Sequence, residues 1–437
     1  MERALLSELV TWQQSPRRKP LLLQGVRQCG KTWLLQQFGR DHFQHTAYIN
    51  FDENPEYADF FATKDVKRIT SNLSLATGVP IAAGQTLLIL DEIQGCPAAL
   101  NALKYFHENM SALHVAAAGS LLGVALAGSG FPVGQVDFLE LGPLTFTEFL
   151  TAMGDDNLVE FSRTTKIEAV PAPFLSLLDE RFRTYLVTGG LPEPVNAWVT
   201  ERDTALVAKA LSGILRAYEL DFAKHARSTN FPKISLIWAS LASQLARENK
   251  KFLYQAVKPG ARAREYEDAL QWLVGAKLVT KVFRSTKPGV PVAAYDDLAA
   301  FKLYAVDVGI LRRLAKLDAP SVASFETITA EFRGGLIENY VLQAVLPQID
   351  ATPRYWSQAN PSYEVDFLIQ LGTDVLPVEV KSGSAVHSKS LTRYAELFAN
   401  DTKLRVRLSG QDLALDGDLL NVPLPLADQA VRLIGMV

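Results

Sequence analysis

Short apolar runs alternate with stretches of helical period through the first third of the chain. Pro20–Leu23, Ala47–Phe51, Leu87–Leu90 and His114–Ala118 are largely apolar runs of strand length. Continuous apolar strands are those covered on both faces, and helical stretches between them serve as crossovers. Residues 1–150 therefore predict a parallel sheet with helices packed on it. Residues 151–225 read as mostly helical, broken at Thr188-Gly189-Gly190-Leu191-Pro192. Ile234, Ile237, Trp238, Leu241 and Leu245 then mark one helix face, and Arg264 to Ala276 a second helix carrying Tyr266, Leu270 and Leu273. Leu278–Ser285 reads as a strand, followed by a Lys-Pro-Gly turn and another extended piece. Further on, Tyr363–Gln370 alternates, with Val365, Phe367 and Ile369 on one face and Glu364, Asp366 and Leu368 on the other.

The turn after the first predicted strand carries the first chemical signal. Gly25-Val26-Arg27-Gln28-Cys29-Gly30-Lys31-Thr32 matches G-x-x-x-x-G-K-[ST] and leads into the helix-like segment Trp33–Phe38. The glycines let backbone N–H groups wrap phosphates, and the helix N-terminus adds a positive dipole end. Lys31 is expected on the β/γ-phosphates of ATP and Thr32 on Mg²⁺. Leu87-Leu88-Ile89-Leu90-Asp91-Glu92 is a buried strand ending in two acids. Asp91 is expected to hold Mg²⁺ through water, and Glu92 to orient the attacking water. Ser120, at the end of the next strand, suits a γ-phosphate sensor or a plain helix cap.

These motifs resemble a known family in their order. "LILDEIQ", "AAGSLLG", "FPVGQVDFLELGPLTFTEFL", "YLVTGGLPEPV" and "ILRAYELDFAKHA" follow the phosphate loop as they do in the bacterial and archaeal AAA-type ATPases with a DUF4143 C-terminal region. The resemblance covers nearly the whole chain. It implies an ATP-binding core in which Lys31, Thr32, Asp91, Glu92 and Ser120 take the Walker A, Walker B and sensor positions. Relatives usually carry a basic residue where this chain has Gln135, so turnover or a subunit contact is expected to differ there. Arg181, Arg183 and Arg216 are the candidates for an arginine that completes a site across a subunit boundary.

The hairpin near the C-terminus suggests a second centre. Leu371-Gly372-Thr373-Asp374 forms the turn, and Val375–Lys381 returns. That register pairs Gln370 with Val375 and Asp366 with Glu379, while Glu379 and Lys381 share a face. Two carboxylates can hold a divalent ion, and a lysine beside it can position or deprotonate water. The D-x(n)-E-x-K pattern resembles the PD-(D/E)xK nuclease fold. Glu338, in the helical segment Gly335–Tyr340, is expected to add a third acid. His387 and Tyr394 are candidates to line the cleft. The same pattern also fits a catalytically silent domain or an exposed face of salt bridges.

Composition narrows the setting. The chain has 437 residues, 48% of them hydrophobic and 21% charged, which excludes a disordered or fibrous protein. Two cysteines, Cys29 and Cys96, exclude a disulfide framework. The first residues lack the apolar core of a signal peptide, and no apolar run reaches a membrane span, so a cytoplasmic protein is expected. Lys and Arg number 44 against 47 Asp and Glu, a net charge of −3. Yet Phe231–Lys287 holds eleven Lys/Arg against four acids, leaving the rest of the chain at −10. Such asymmetry is a candidate footprint for a phosphate backbone, with Lys250, Lys251, Arg262 and Arg264 the expected contacts. A protein-docking face fits the same charge.

The expected fold is thus α/β in four parts: a P-loop AAA+ core over 1–150, a helical lid over 151–225, a winged-helix module over 226–290 and a restriction-endonuclease-like domain over 291–437. The expected function is ATP hydrolysis controlling nucleic-acid binding or metal-dependent cleavage. The alternative is a nucleotide-switched regulator that binds DNA or a protein and has a silent C-terminal domain. Oligomers remain compatible with either.

Overall fold

The computed structural model describes residues 1–120, 134–226, 228–248, 250–324, 327–359, 362–383 and 388–437. The chain divides into two compact units. One comprises Met1–Gly142 with Trp272–Leu278, and the other Pro143–Gln271 with Val279–Val437.

The first unit is built on a five-stranded parallel sheet. Its strands are β1 (Leu21–Gln24), β2 (His45–Asn50), β3 (Thr86–Asp91), β4 (His114–Ala118) and β5 (Asp137–Glu140), in the order β2-β3-β4-β1-β5. β3 and β4 are buried along their whole length, as unbroken apolar runs require. Helices Lys31–His42, Val66–Thr77 and Pro97–Asn109 cover the sheet. Leu22, Ile49, Leu88 and Leu90 meet Ile69, Leu73, Leu103 and Phe106 in one core. From β1 the chain passes to the far edge at β2 and works back through β3 to β4, leaving β5 on the other side of β1. Such an order opens a crevice at the carboxyl end of β1, where ligands of open α/β sheets bind.

The second unit begins with helices Phe146–Met153, Asp156–Thr164, Ala172–Thr188, Pro192–Glu201 and Thr204–His225. The predicted break at 188–192 falls between two of these. It is also a packing knot. Gly189 has φ +69°, and a Cβ there would lie 2.1 Å from the Asp307 carboxylate; at Gly190 it would lie 2.2 Å from the Leu144 carbonyl. Asp307 accepts the Gly190 N–H at 2.7 Å and the Ile310 N–H at 3.0 Å. Only glycine allows both approaches.

Helices Phe231–Leu245 and Ala263–Gly275 follow, with the short helix Tyr254–Val257 between them. Next comes an antiparallel pair, β6 (Val279–Ser285) and β7 (Asp296–Ala305). This hairpin continues a larger sheet. β8 (Arg354–Gln358), β9 (Tyr363–Leu371), β10 (Asp374–Val380), β11 (Arg405–Ser409), β12 (Ala414–Asp416) and β13 (Leu419–Pro423) complete eight strands in the order β12-β13-β11-β10-β9-β8-β6-β7. A boundary at 290 therefore falls inside the β6–β7 connection. The β9–β10 register matches the expected one, with Gln370 opposite Val375. Helix Ala330–Val345 packs against helix Phe231–Leu245 closely enough that a Cβ on Gly335 would lie 2.5 Å from the Leu245 carbonyl. Among the described residues, no helix is long and apolar enough to cross a membrane.

Candidate functional site

The phosphate-loop motif occupies the turn from β1 into helix Lys31–His42. Its conformation explains its residues. Gly25 has φ +153°, and a Cβ there would lie 2.2 Å from the Leu141 carbonyl; Gly30 has φ +97°. Gln28 also takes a left-handed conformation, at φ 67°. Val26 and Cys29 are buried beneath the loop. Arg3, buried ahead of the first helix, donates to the Cys29 carbonyl at 2.9 Å and the Gly142 carbonyl at 2.7 Å. Nothing in the local sequence marks Arg3, because the contact spans 26 residues. Arg27 lies in the same loop, half-buried.

Lys31 is buried and turned onto its own loop, donating to the Gly25 and Val26 carbonyls, each at 2.9 Å. Its ammonium thus stands where an arriving phosphate can replace those carbonyls. Thr32 donates its hydroxyl to Asp91 Oδ2 at 2.6 Å. The two residues belong to different elements, 59 positions apart, and the parallel packing of β1, β4 and β3 brings them together. Tyr48, on β2, donates to the same Asp91 oxygen at 3.0 Å, and Asn50 donates to the Tyr48 hydroxyl at 3.3 Å. Asp91 Oδ1 accepts the Glu92 N–H at 2.9 Å. A hydroxyl and a carboxylate so placed are hard oxygen donors of the kind Mg²⁺ takes alongside phosphate and water.

Glu92 sits just past β3 at φ 49°, a conformation that costs a non-glycine residue roughly 1 kcal/mol or more and tends to mark functional positions. Burial pushes its carboxyl pKa up, against a hydrogen bond from Gln94. Ser120 is buried beyond the end of β4. Gln135 is half-buried before β5, and residues 121–133 ahead of it lie outside the described residues.

The C-terminal residues form a different kind of centre. Asp366 and Glu379 stand on β9 and β10, both buried, and Asp366 Oδ2 accepts the Val380 N–H at 2.8 Å. Lys381 pairs with Glu379 Oε1, while Glu379 Oε2 is buried without a hydrogen-bond partner. Glu338, expected as a third metal ligand, is instead held by cations. Lys250 pairs with its Oε1, Tyr304 donates to Oε2 at 3.1 Å, and Lys302 Nζ lies 3.8 Å from Oε2. Lys302 is fully buried, reaches Glu364 at 2.5 Å and lies over the Tyr355 ring at 4.9 Å. Burial alone would raise the Glu338 pKa, but Lys250 and Lys302 outweigh it and hold the carboxyl below its usual range. Asp366 goes the other way: burial, and then the Glu338 charge, push it up to about 8.

Three of the residues expected at these sites have surroundings that the sequence alone does not show. Lys250, expected at a nucleic acid, has its ammonium on Glu338. Glu338, expected beside Asp366 and Glu379 as a metal ligand, has two lysines and a tyrosine at its oxygens. Among the described residues, no three His, Cys, Asp or Glu groups gather as a metal cluster. Tyr394 does not line a cleft, since it is buried against Trp356 and Phe398. His387 lies outside the described residues.

The basic segment is also more engaged than its count implies. Besides Lys250, Lys277 pairs with Glu140, Lys281 with Glu267 and Arg284 with Asp297. Lys251 is half-buried, whereas Arg262 and Arg264 are exposed. Arg181 is bound to Asp155 at 2.7 Å.

Comparison with known proteins matches separate stretches of the chain to family models. Residues 17–150 match a family model described as an AAA domain, and residues 333–427 one described as DUF4143, a domain of unknown function. The chain thus carries an AAA-type P-loop ATPase domain and, towards its C-terminus, a DUF4143 region. Between the two, residues 179–321 match DUF8612, also of unknown function. No curated protein matches. Among solved structures, this AAA-type chain is similar to a Walker-type ATPase of Pyrococcus abyssi, at 14% identity over 72% of this chain and 95% of that one, with a TM-score of 0.46. It is also similar to AMPPCP-bound DnaA from Aquifex aeolicus, at 14% identity over 62% and 86% of the two chains and a TM-score of 0.22. A third likeness is to a STAND protein with a tetratricopeptide repeat sensor from Pyrococcus horikoshii, at 12% identity over 80% and 45%, with a TM-score of 0.26.

Proposed function

We propose that the chain binds and hydrolyses Mg²⁺-ATP and uses that cycle to switch the binding of a partner by its second unit. The contact between Thr32 and Asp91 carries this reading. It supports a site in which both would share Mg²⁺, Lys31 would take the β/γ-phosphates, and Glu92 would orient the attacking water. The magnesium would supply charge neutralisation on the transferring phosphate. Gly25 to Gly30 would cradle the phosphates through backbone N–H groups, and Ser120 would sense the terminal one. In this reading residues 151–225 act as a lid, 226–290 as a winged-helix module whose exposed Arg262 and Arg264 face DNA, and 291–437 as a nuclease-like fold.

The lysine-bound Glu338 and the raised Asp366 pKa favour a C-terminal domain that does not cut. Phosphate release from ATP tests the first half. Lys31→Ala and Glu92→Gln should each lower turnover about a hundredfold or more, with nucleotide binding kept in Glu92→Gln. Equal turnover in wild type and both variants would sink the reading. Duplex binding that weakens steeply with added salt, and is reduced by Arg262→Ala and Arg264→Ala, would identify the partner as DNA.

One observation favours cleavage instead. Glu379 keeps a buried, unpartnered oxygen on the strand beside Asp366, with Lys381 on its other oxygen. Metal-dependent nicking of plasmid DNA, lost in both Glu379→Ala and Lys381→Ala, would establish that second reading.

A further inference from the structure

Helix Thr204–His225 and the end of helix Val308–Leu314 flank an open groove within the second unit. Its volume is about 460 Å³, and its lining is Ser212, Leu215, Arg216, Glu219, Arg313 and Lys316. Three cations face one carboxylate. Arg313 donates from Nε to Ser212 Oγ at 2.8 Å, which fixes the guanidinium plane and leaves its terminal nitrogens without a partner among the described residues. The side chains of Arg216 and Lys316 likewise have no hydrogen-bond or ion-pair partner among the described residues. Behind them Arg312 is fully buried, held by the Val187 carbonyl at 3.0 Å and the Leu317 carbonyl at 2.8 Å, with Nη2 unpartnered. Burial lowers its guanidinium to about 10, the Arg313 charge adds to that, and Asp307 and Asp318 offset only part.

Like charges gathered in a concave site repel one another unless an anion sits among them. Arginine forks match the oxygens of phosphate, and a groove of this size matches small-ligand sites of about 300–1,000 Å³. A nucleic-acid backbone would need an extended basic stripe, whereas the charge here is confined to two helix segments. We propose that this groove binds a compact phosphate-bearing ligand, either free phosphate or a small phosphomonoester. Arg216, Arg313 and Lys316 take the phosphate oxygens. Glu219, which has no cationic partner among the described residues, accepts from a hydroxyl on the ligand body, and Leu215 packs against it. None of these residues belongs to the phosphate loop, and the assignment gives Arg216, a candidate above for completing an ATP site across a subunit boundary, a ligand in its own groove instead.

Calorimetry on the full chain tests it, with inorganic phosphate, glucose 6-phosphate and a short DNA duplex as probes. Lys31→Ala serves as the background that silences the phosphate loop. Phosphate binding should persist in that background and weaken about tenfold or more in the Arg216→Ala/Lys316→Ala double variant. Arg216→Lys should retain part of the affinity. Glu219→Gln should weaken glucose 6-phosphate but not inorganic phosphate, which separates an ester from the free ion. The altered side chains are solvent-facing, so melting temperatures should match wild type, and Arg216→Gln alone provides a milder variant. Loss of all phosphate binding with Lys31→Ala, or binding unchanged in the double variant, overturns the proposal. So does a duplex that binds through Arg216 while phosphate and glucose 6-phosphate do not.

Discussion

Tyr48 shows how much of a site can rest on a residue that carries no motif. Its hydroxyl and that of Thr32 share one oxygen of Asp91, so Tyr48 fixes the carboxylate that the proposed Mg²⁺ would meet. Burial, with the Asp91 charge added, holds the phenol firmly protonated and keeps it a donor. Tyr48→Phe removes one hydrogen bond worth about 1 kcal/mol. The Mg²⁺ concentration for half-maximal turnover should therefore rise about fivefold, with kcat at saturating Mg²⁺ changed less. An unchanged Mg²⁺ dependence would remove Tyr48 from the site. Asp366 yields a prediction of opposite sign to most carboxylates. Its unfolded pKa is about 3.9, and its folded value is raised to about 8. The folded chain then holds more protons than the unfolded one between those values, so stability falls as pH rises through that window. Melting temperature should drop from pH 5 to pH 8, and Asp366→Asn should flatten that drop. A wild-type profile without the drop would contradict the assignment.

At the scale of elements, the Lys250–Glu338 pair joins the loop after helix Phe231–Leu245 to helix Ala330–Val345. Breaking a buried pair costs about 3–5 kcal/mol where the remaining charge is left alone; removing Glu338 strands Lys250 in that way, while removing Lys250 leaves Glu338 with Lys302 and Tyr304 only. Glu338→Gln should destabilise the fold by roughly that amount, Lys250→Met by less, and the double variant by less than their sum. Additive losses in urea unfolding would show that the two side chains do not interact.

The same region shows where sequence reading reaches its limit. The β9–β10 register was legible because strict alternation and a tight turn around Gly372 fix which residues oppose each other. β1, β3 and β4 were legible because buried parallel strands are largely apolar runs, whereas β2, at the sheet edge, buries only Ala47 and Ile49. Lys302 was not. A lysine inside a strand reads as solvent-facing, and its partner Glu364 lies 62 residues away. The Lys250 pairing is hidden for the same reason, as its charge counts in the sequence while its partner lies 88 residues on. The joining of β6 and β7 to β8 through β13 is also long-range pairing that no local pattern encodes.

For the whole molecule, ligand linkage offers the simplest test. A nucleotide that binds only the folded first unit stabilises it by about 2.7 kcal/mol at a hundred times its Kd. AMPPCP with Mg²⁺ should raise the melting temperature of wild type and leave Lys31→Ala nearly unmoved. A rise of equal size in both would place the nucleotide elsewhere than the phosphate loop. The knot of Gly189, Gly190 and Asp307 has a consequence of another kind. Asp307 fills the volume that any side chain at 189 would need, and it spends its oxygens on the backbone that glycine at 190 permits. Neither position is then free to drift alone. Across descendants of this sequence the two should be inherited as a set, and lineages that lose the acid should be those in which the glycines have also been released.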